Sequence, residues 1–393
     1  MTARRNHAGV RIALVSDTYT PQVNGVTTVV RRVAETLRSA GHPVAVVAPR
    51  YPTGDTASLD ELRIPSVPFP PYPSIRLSLP LRGRVFAHLD RFAPDVVHVA
   101  TEGPLGAMGR RYALRHDIPL VTSFHTHFPA YTRHYGVPAL APLVWRWLVH
   151  FHRPARMIHT PGEAVQDELI AQGLTRTVVW GRGVDTRHFD PARLNSGWRR
   201  WLGGSDETCV VLHVGRLAAE KNLRVLVEAW RLAHERLGRR ATFVIAGDGP
   251  EAAYVSTRAP FARRLGFIDR DSLAVLYASA DLCVLPSRTE TCGLVALEAM
   301  ASGLPVIAAA AGGLPESVRH DANGWLVPPD DAAGFADAIV ALAQDPARRQ
   351  RLATSARRTA ETRDQRLENR ELLQQYAAIA ATRTVPGGVP CAA

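Results

Sequence analysis

The chain holds a single lysine among its 47 basic residues: Lys221, five positions after Arg216. An ammonium is a compact charge with three donors, whereas a guanidinium is a planar fork, so the two together can hold a diphosphate from two sides. The plainer alternative is a surface lysine in an arginine-biased chain. Glu290 and Glu298 stand eight positions apart around Cys292, Gly293, Leu294 and Val295. A helix over residues 296–302, ended by Gly303, would carry Glu298 and leave the amides of Gly293, Leu294 and Val295 open to an anion. Two acids beside an anion site cost electrostatic energy unless they hold something else, such as sugar hydroxyls. Their alternative is a solvated helix face, against which the apolar flanks argue.

Three further segments have the types and spacing for chemistry. Residues 17–26 follow an apolar run and contain Asn24-Gly25 at the start of a helical pattern. Such a loop aims backbone amides at a ligand and glycine permits close approach, although a plain strand-to-helix turn has the same residues. His125 and His127 end the fourth apolar run, where ligands bind in open α/β sheets. His-x-His could also suggest a metal, but no third ligand is placed by the sequence. Gly247-Asp248-Gly249 lacks the third glycine of a dinucleotide fingerprint and reads as a turn.

The elements that must hold these residues alternate along the chain. Strands are predicted at residues 10–16, 44–48, 95–100 and 120–124, with a helix over 26–40 ended by Gly41. Residues 51–83 are rich in proline and glycine and read as a long loop. A connector spans residues 185–206. The pattern then restarts with strands at 210–214, 242–246, 282–285, 306–309 and 325–327, a helix at 223–237 and a charged helical tail at 345–381. Two Rossmann-like, doubly wound domains facing a cleft are the simplest α/β architecture. The implied units are residues 10–190, 206–365 and a terminal helix over 366–381 that crosses back to the first.

Composition bounds the function. At 393 residues with 46% hydrophobic and 21% charged content, the chain suits two soluble domains. No apolar run nears the ~20 residues of a spanning helix, and the first residues lack an apolar signal core. Cys209, Cys283, Cys292 and Cys391 show neither disulfide nor metal spacing, and Cys391 is one residue short of a prenylation box. Both readings fit the cytoplasm. The net charge of +11 is concentrated in residues 1–190, which carry 22 basic and 14 acidic residues. That half is the better candidate to meet the anionic inner face of a membrane as a peripheral contact. No zinc-finger, RNP-type or helix-turn-helix pattern favours nucleic acid.

Together, Pro21-Gln22-Val23-Asn24-Gly25-Val26, Gly215-Arg216-Leu217 with Glu220-Lys221, Gly247-Asp248-Gly249-Pro250, the Glu290/Glu298 pair and Gly312-Gly313-Leu314-Pro315-Glu316 resemble the family 4 (GT4) glycosyltransferases over about residues 10–365. These are retaining, nucleotide-sugar-dependent enzymes of the GT-B fold. The resemblance implies that Arg216 and Lys221 bind the donor diphosphate and stabilise its departure. It implies that Gly25 offers amides to the distal phosphate, Glu290 holds sugar hydroxyls, and Gly293, Leu294 and Val295 give amides to sugar and phosphate. Glu298 would hold the ribose, Phe267 and Ile268 the base, and His125 would lie near the donor sugar. Cys292 replaces the phenylalanine of many relatives and should loosen packing there.

Removing one donor aimed at a developing anion typically costs ~3 kcal/mol, and two fixed cations leave no need for a metal. No metal or cofactor is therefore expected beyond the substrate. No carboxylate is evidently placed as a nucleophile, which favours same-face transfer; that step comes from the resemblance. The donor stays open between GDP-mannose and UDP-glucose, and the acceptor between a lipid and a glycan. Glu102 and Tyr19 are the acceptor-side candidates; Glu102 would face the cleft after the third strand, or else serve as a first-turn helix acid behind Thr101. Leu140, Val144, Trp147 and Phe151 recur at helical spacing near Arg146, Arg153 and Arg156. They form either a lipid-facing stripe or a core face. The rival functions are another GT-B enzyme, such as a nucleotide-sugar epimerase or glycogen-type synthase, and a non-catalytic lipid- or polyanion-binding protein on a transferase scaffold.

Overall fold

Residues 9–382 are described by the computed structural model, except 23, 53–59, 70–71, 130–131, 133–136, 182, 204 and 206. Val23 of the loop motif, the first residues of the chain and Cys391 therefore lie outside the described residues.

The first domain is built on a seven-stranded, wholly parallel sheet. Its strands are β1 (Ile12–Val15), β2 (Val44–Pro49), β3 (Glu61–Ile64), β6 (Val96–Val99), β7 (Leu120–Ser123), β8 (Met157–Thr160) and β9 (Thr177–Val179). Two others, β4 (Ser66–Phe69) and β5 (Tyr72–Ser78), make a separate antiparallel pair. The sheet order is β3-β2-β1-β6-β7-β8-β9. The helices are α1 (Gly25–Ser39), α2 (Arg82–Phe92), α3 (Pro104–Arg115), α4 (Ala141–His152) and α5 (Glu163–Ala171). Strands such as Ile12–Val15 and Val96–Val99 are apolar at almost every position because helices cover both faces. One face packs on α2, α3 and α4 through Val85, Leu89, Leu105, Tyr112, Leu148 and Phe151. The other packs on α1 through Val30, Val33 and Leu37.

A short helix, α6 (Ser196–Trp201), leads into the second domain. Its parallel sheet comprises β10 (Cys209–Val214), β11 (Ala241–Ala246), β12 (Arg263–Gly266), β13 (Leu282–Leu285), β14 (Val306–Ala309) and β15 (Gly324–Val327). The order is β12-β11-β10-β13-β14-β15. Helices α7 (Leu223–Leu237), α8 (Ala252–Arg258), α9 (Arg270–Ser279), α10 (Leu294–Ala301), α11 (Ala332–Gln344) and α12 (Pro346–Glu361) follow in turn. The last helix, α13 (Gln365–Ala381), returns to the first domain. Leu372, Tyr376 and Ile379 are buried there beside Val30 and Val96.

The two doubly wound α/β domains expected from the sequence are thus the ones observed. The stretch 51–83 is corrected, because it holds three strands rather than one long loop. β3 extends the sheet edge from Val46↔Glu61 to Pro49↔Ile64, where the prolines around it do not interrupt the ladder. β8, β9 and β12 were also absent from the expected pattern.

Candidate active site

In each sheet the strand order reverses between two neighbours, β1/β6 in the first and β10/β13 in the second. Loops leaving the carboxyl ends of such strands bound a crevice. Every segment singled out for chemistry is one of these loops or its neighbour. Gly25 follows β1 and His125 follows β7. Arg216 and Lys221 follow β10, Phe267 and Ile268 follow β12, and Glu290 follows β13.

The loop after β10 is locked by glycines. A Cβ at Gly247 would lie 1.9 Å from the Gly215 carbonyl, and one at Gly249 would lie 2.4 Å from that of Leu217. With both residues at positive φ, only glycine fits this approach. Leu217 N donates to Asp248 O at 2.9 Å, and Glu251 N donates to Leu217 O at 2.8 Å. The Gly-Asp-Gly turn thus holds the segment that carries Arg216. Gly312 and Gly313 do the same for the loop after β13, since a Cβ there would strike the carbonyls of Glu290 and Thr291.

Lys221 Nζ donates to Glu290 Oε1 at 2.5 Å, across 69 residues of chain. Burial pushes the Glu290 carboxyl up, but the Lys221 charge and hydrogen bonds from Lys221 and Ser287 outweigh it and hold it below the ordinary value. Arg216 pairs with the buried Glu220 and keeps its side chain 40% exposed. Each of the two cations thus rests on a carboxylate.

Helix α10 begins beside them. Gly293 adopts φ 66° as its N-cap, and among the described residues no side chain caps the helix. Its first backbone bond is Ala296 N to Gly293 O, at 2.8 Å. The amides of Leu294 and Val295 precede that bond at the positive end of the helix. Glu298 lies one turn inside, where Tyr277 Oη donates to its Oε2 at 3.3 Å. Burial pushes Glu298 up to about 7, against the lowering pull of Arg270 and Tyr277. Phe267 is 66% exposed, an uncovered aromatic at the end of β12. Ile268 packs against the second domain's core.

On the facing domain, Asn24 Oδ1 accepts from Thr27 N at 2.8 Å and starts α1. Among the described residues a Cβ at Gly25 would meet nothing within 4 Å, so their packing does not require glycine there. His125 is half-buried, and its carbonyl accepts from Thr291 Oγ1 of the other domain at 3.4 Å. Burial and the neighbouring His159, Arg32 and His152 push its imidazole down to about 3. It is therefore neutral near pH 7, a hydrogen-bonding group rather than a cation. His127 pairs with Glu168 at 2.5 Å. Cys292 reaches back to Gly181 O at 3.9 Å.

The two acceptor-side candidates are both buried. Glu102 is 5% exposed, and its Oε1 lies 3.2 Å from His152 Nε2, whose Nδ1 contacts Thr122 Oγ1 at 2.8 Å. It is neither an open cleft carboxylate nor a first-turn acid, because the N-cap of α3 is Gly103. Tyr19 is 3% exposed, with the Arg63 guanidinium 5.0 Å from its ring centre, so it is a core residue. The stripe on α4 also divides. Phe151 is buried and Val144 packs on the core, whereas Leu140 and Trp147 are exposed, as is Leu143 beside them.

Four residues were not singled out individually from the sequence. Asp17, after β1, accepts from Leu105 N at 2.8 Å and Gly106 N at 3.2 Å, and so caps α3 across the crevice. Burial pushes its carboxyl up despite those bonds. His213, inside β10, directs Nδ1 to Val284 O at 2.8 Å and leaves Nε2 buried without a partner among the described residues. Its one visible signal was a histidine within an apolar strand. His98 and His159 receive α13, through Tyr376 Oη to His98 Nδ1 and through Gln375 Oε1 to His159 Nε2 at 3.0 Å.

Both domains match known glycosyltransferases. Residues 23–188 match a family model described as Glycosyltransferase Family 4, and residues 208–345 match one described as Glycosyl transferases group 1. A GDP-mannose-dependent alpha-mannosyltransferase of Mycobacterium tuberculosis is 37% identical, over 96% of this chain and 98% of that protein. An alpha-monoglucosyldiacylglycerol synthase of Streptococcus pneumoniae is 29% identical, over 76% of this chain and 71% of its own length. Anabaena HepE, solved with UDP-glucose, superimposes with a TM-score of 0.76 at 22% identity, covering 94% of this chain and 99% of that one.

Proposed function

The chain belongs to the family 4 glycosyltransferases, and from that membership we propose that it moves a mannosyl group from GDP-mannose to a lipid or glycan acceptor, with retention and without a metal. The observation that carries the reading is the meeting of Arg216, Lys221, Glu290 and the uncapped start of α10 at the end of one sheet. The choice of mannose rests on the likeness to GDP-mannose-dependent relatives along nearly the whole chain.

In this reading the donor diphosphate takes Arg216 and Lys221 away from their carboxylates. Glu290, released from Lys221, accepts from hydroxyls of the sugar. As the glycosyl–phosphate bond breaks, charge grows on the diphosphate, and the two cations with the amides of Leu294 and Val295 stabilise it. Donor binding orients these groups before the bond breaks, so little reorganisation is needed at the moment of reaction. The acceptor hydroxyl bonds to the anomeric carbon on the face the diphosphate leaves, and its proton passes to a departing phosphate oxygen. Neutral His125 holds a hydroxyl of the sugar, Glu298 the ribose, and Phe267 offers a face to the base.

The acceptor side is read as membrane-facing. Leu140, Leu143 and Trp147 lie exposed with Arg146 and Arg153 on and beside α4. On the same layer, Arg82, Arg84 and Arg111 line a cavity of about 870 Å³ between α2 and α3. Among the described residues no helix is long and apolar enough to cross a membrane. Exposed apolar groups ringed by cations suit an anionic bilayer surface. Flotation with phosphatidylglycerol vesicles should therefore capture the protein and lose the Leu143→Asp/Trp147→Asp variant; equal capture of both would contradict this contact.

A donor panel in EDTA tests the transfer reading. Release of GDP from GDP-mannose, well above release of UDP from UDP-glucose, supports it. Preference for UDP-glucose would overturn the sugar, and a requirement for Mg²⁺ would overturn the metal-free chemistry.

A further inference from the structure

Glu316, the last residue of the Gly-Gly-Leu-Pro-Glu motif, belongs to the second domain but completes a helix of the first. Its Oε2 accepts from Glu163 N at 2.9 Å, and its Oε1 accepts from Ala164 N at 2.9 Å. These are first-turn amides of α5, a helix whose own N-cap, Gly162, supplies no side chain. A carboxylate on two such amides is a charge-assisted cap aligned with the helix dipole. Gly162 makes the approach possible, because a Cβ there would lie 2.6 Å from Glu316 Oε1. Gly162 has φ −168°, so extended backbone does not call for glycine; the space taken by Glu316 does.

The other end of the same five-residue segment grips the donor-side loop. Gly313 N donates to Glu290 O at 2.6 Å. Leu314 is fully buried and lies where a Cβ on Gly293 would touch it, at 3.0 Å. Arg363, just before α13, holds the Glu316 carbonyl and donates to Ser317 Oγ at 2.5 Å. One short segment thus joins the Glu290 loop, the start of α10 and the opposite domain.

We propose that Glu316 is a positioning residue for transfer, a latch that caps α5 across the crevice and ties domain closure to the placement of the Glu290 loop. Opening the domains would strip α5 of its cap and leave the carboxylate without these amides. The donor groups named above lie mostly on the second domain, so the latch acts on closure and turnover more than on donor binding.

Two substitutions break the latch from opposite sides. Glu316→Ala removes the carboxylate, and Gly162→Ala fills its place with a methyl group. Small-angle scattering of the full chain, without donor, should give a larger radius of gyration for both variants than for wild type. In turnover, each should lower kcat roughly tenfold, the scale of losing a helix cap, with GDP affinity within about twofold of wild type. The double variant should be no worse than either single one, because both remove the same contact. Glu316→Gln, which keeps an oxygen acceptor, should recover part of the loss. Unchanged radii, or effects that multiply in the double variant, would overturn the latch. The scattering arm does not depend on the transferase reading, so inactivity on every donor would refute that reading and leave the latch tested.

Discussion

Glu298 gives the sharpest quantitative expectation. Burial holds its carboxyl near 7, and Tyr277 and Arg270 only partly oppose that. If the ionised form is what accepts from the ribose, donor affinity must follow its ionisation. With a value of 7, about one-eleventh of the free protein is competent at pH 6 and about ten-elevenths at pH 8, so the apparent Kd should tighten about tenfold between them. Binding should also release close to half a proton at pH 7, because the ribose hydroxyls favour the carboxylate. The assay is isothermal calorimetry with the intact nucleotide sugar in two buffers of different ionisation enthalpy. The free diphosphate is avoided because a terminal phosphate titrates near 6. Glu298→Gln should bind weakly with no dependence on pH over this range. A wild-type Kd that is flat from pH 6 to 8, with no proton released, would refute the ribose role.

Lys221→Ala should cut transfer by 10²–10³, the usual effect of removing one donor aimed at a developing anion, and should leave the Glu290 carboxyl without its compensating charge. Steady-state kinetics with a melting curve as fold control checks this, and near-normal turnover would contradict it. The buried histidines predict acid lability. Burial pushes His159 and His213 down to about 4, so the unfolded chain takes up protons first as pH falls below the ordinary value of 6.5. Stability is fully present above 6.5 and is lost toward 4. At pH 4.5 the two sites together cost about 5 kcal/mol, comparable with the whole stability of a domain. Urea titrations across this range should show the midpoint falling steadily, and a constant midpoint would refute the neutral, buried assignment.

The legible parts of the chain were those where a local pattern has one physical solution. Apolar runs such as 210–214 and 306–309 can only be strands covered on both faces, and Leu223–Leu237 and Gly25–Ser39 emerged within a residue or so of expectation. The strand ends then brought Arg216, Lys221 and Glu290 together, although 69 positions separate the last two. What escaped depended on partners far away in sequence. β3 is a strand because Val46 and Pro49 offer it an edge, not because its composition favours one. Glu102 and Tyr19 looked available on local grounds, but His152 and Arg63 occupy them. Asp17 and Glu316 both cap helices that begin far along the chain, and no spacing rule reports a cap supplied from another element. Phe151 and Trp147 share a helical stripe, yet only Phe151 is buried, because the stripe is wider than the core it meets.

The most direct test of retaining transfer is to watch the anomer that GDP-mannose yields first. Proton NMR of the full-length protein turning over GDP-α-mannose in EDTA, with water as the acceptor, resolves the released sugar before it mutarotates. α-Mannose appearing first, together with GDP, is the predicted result. β-Mannose first, or no release of GDP, would contradict it.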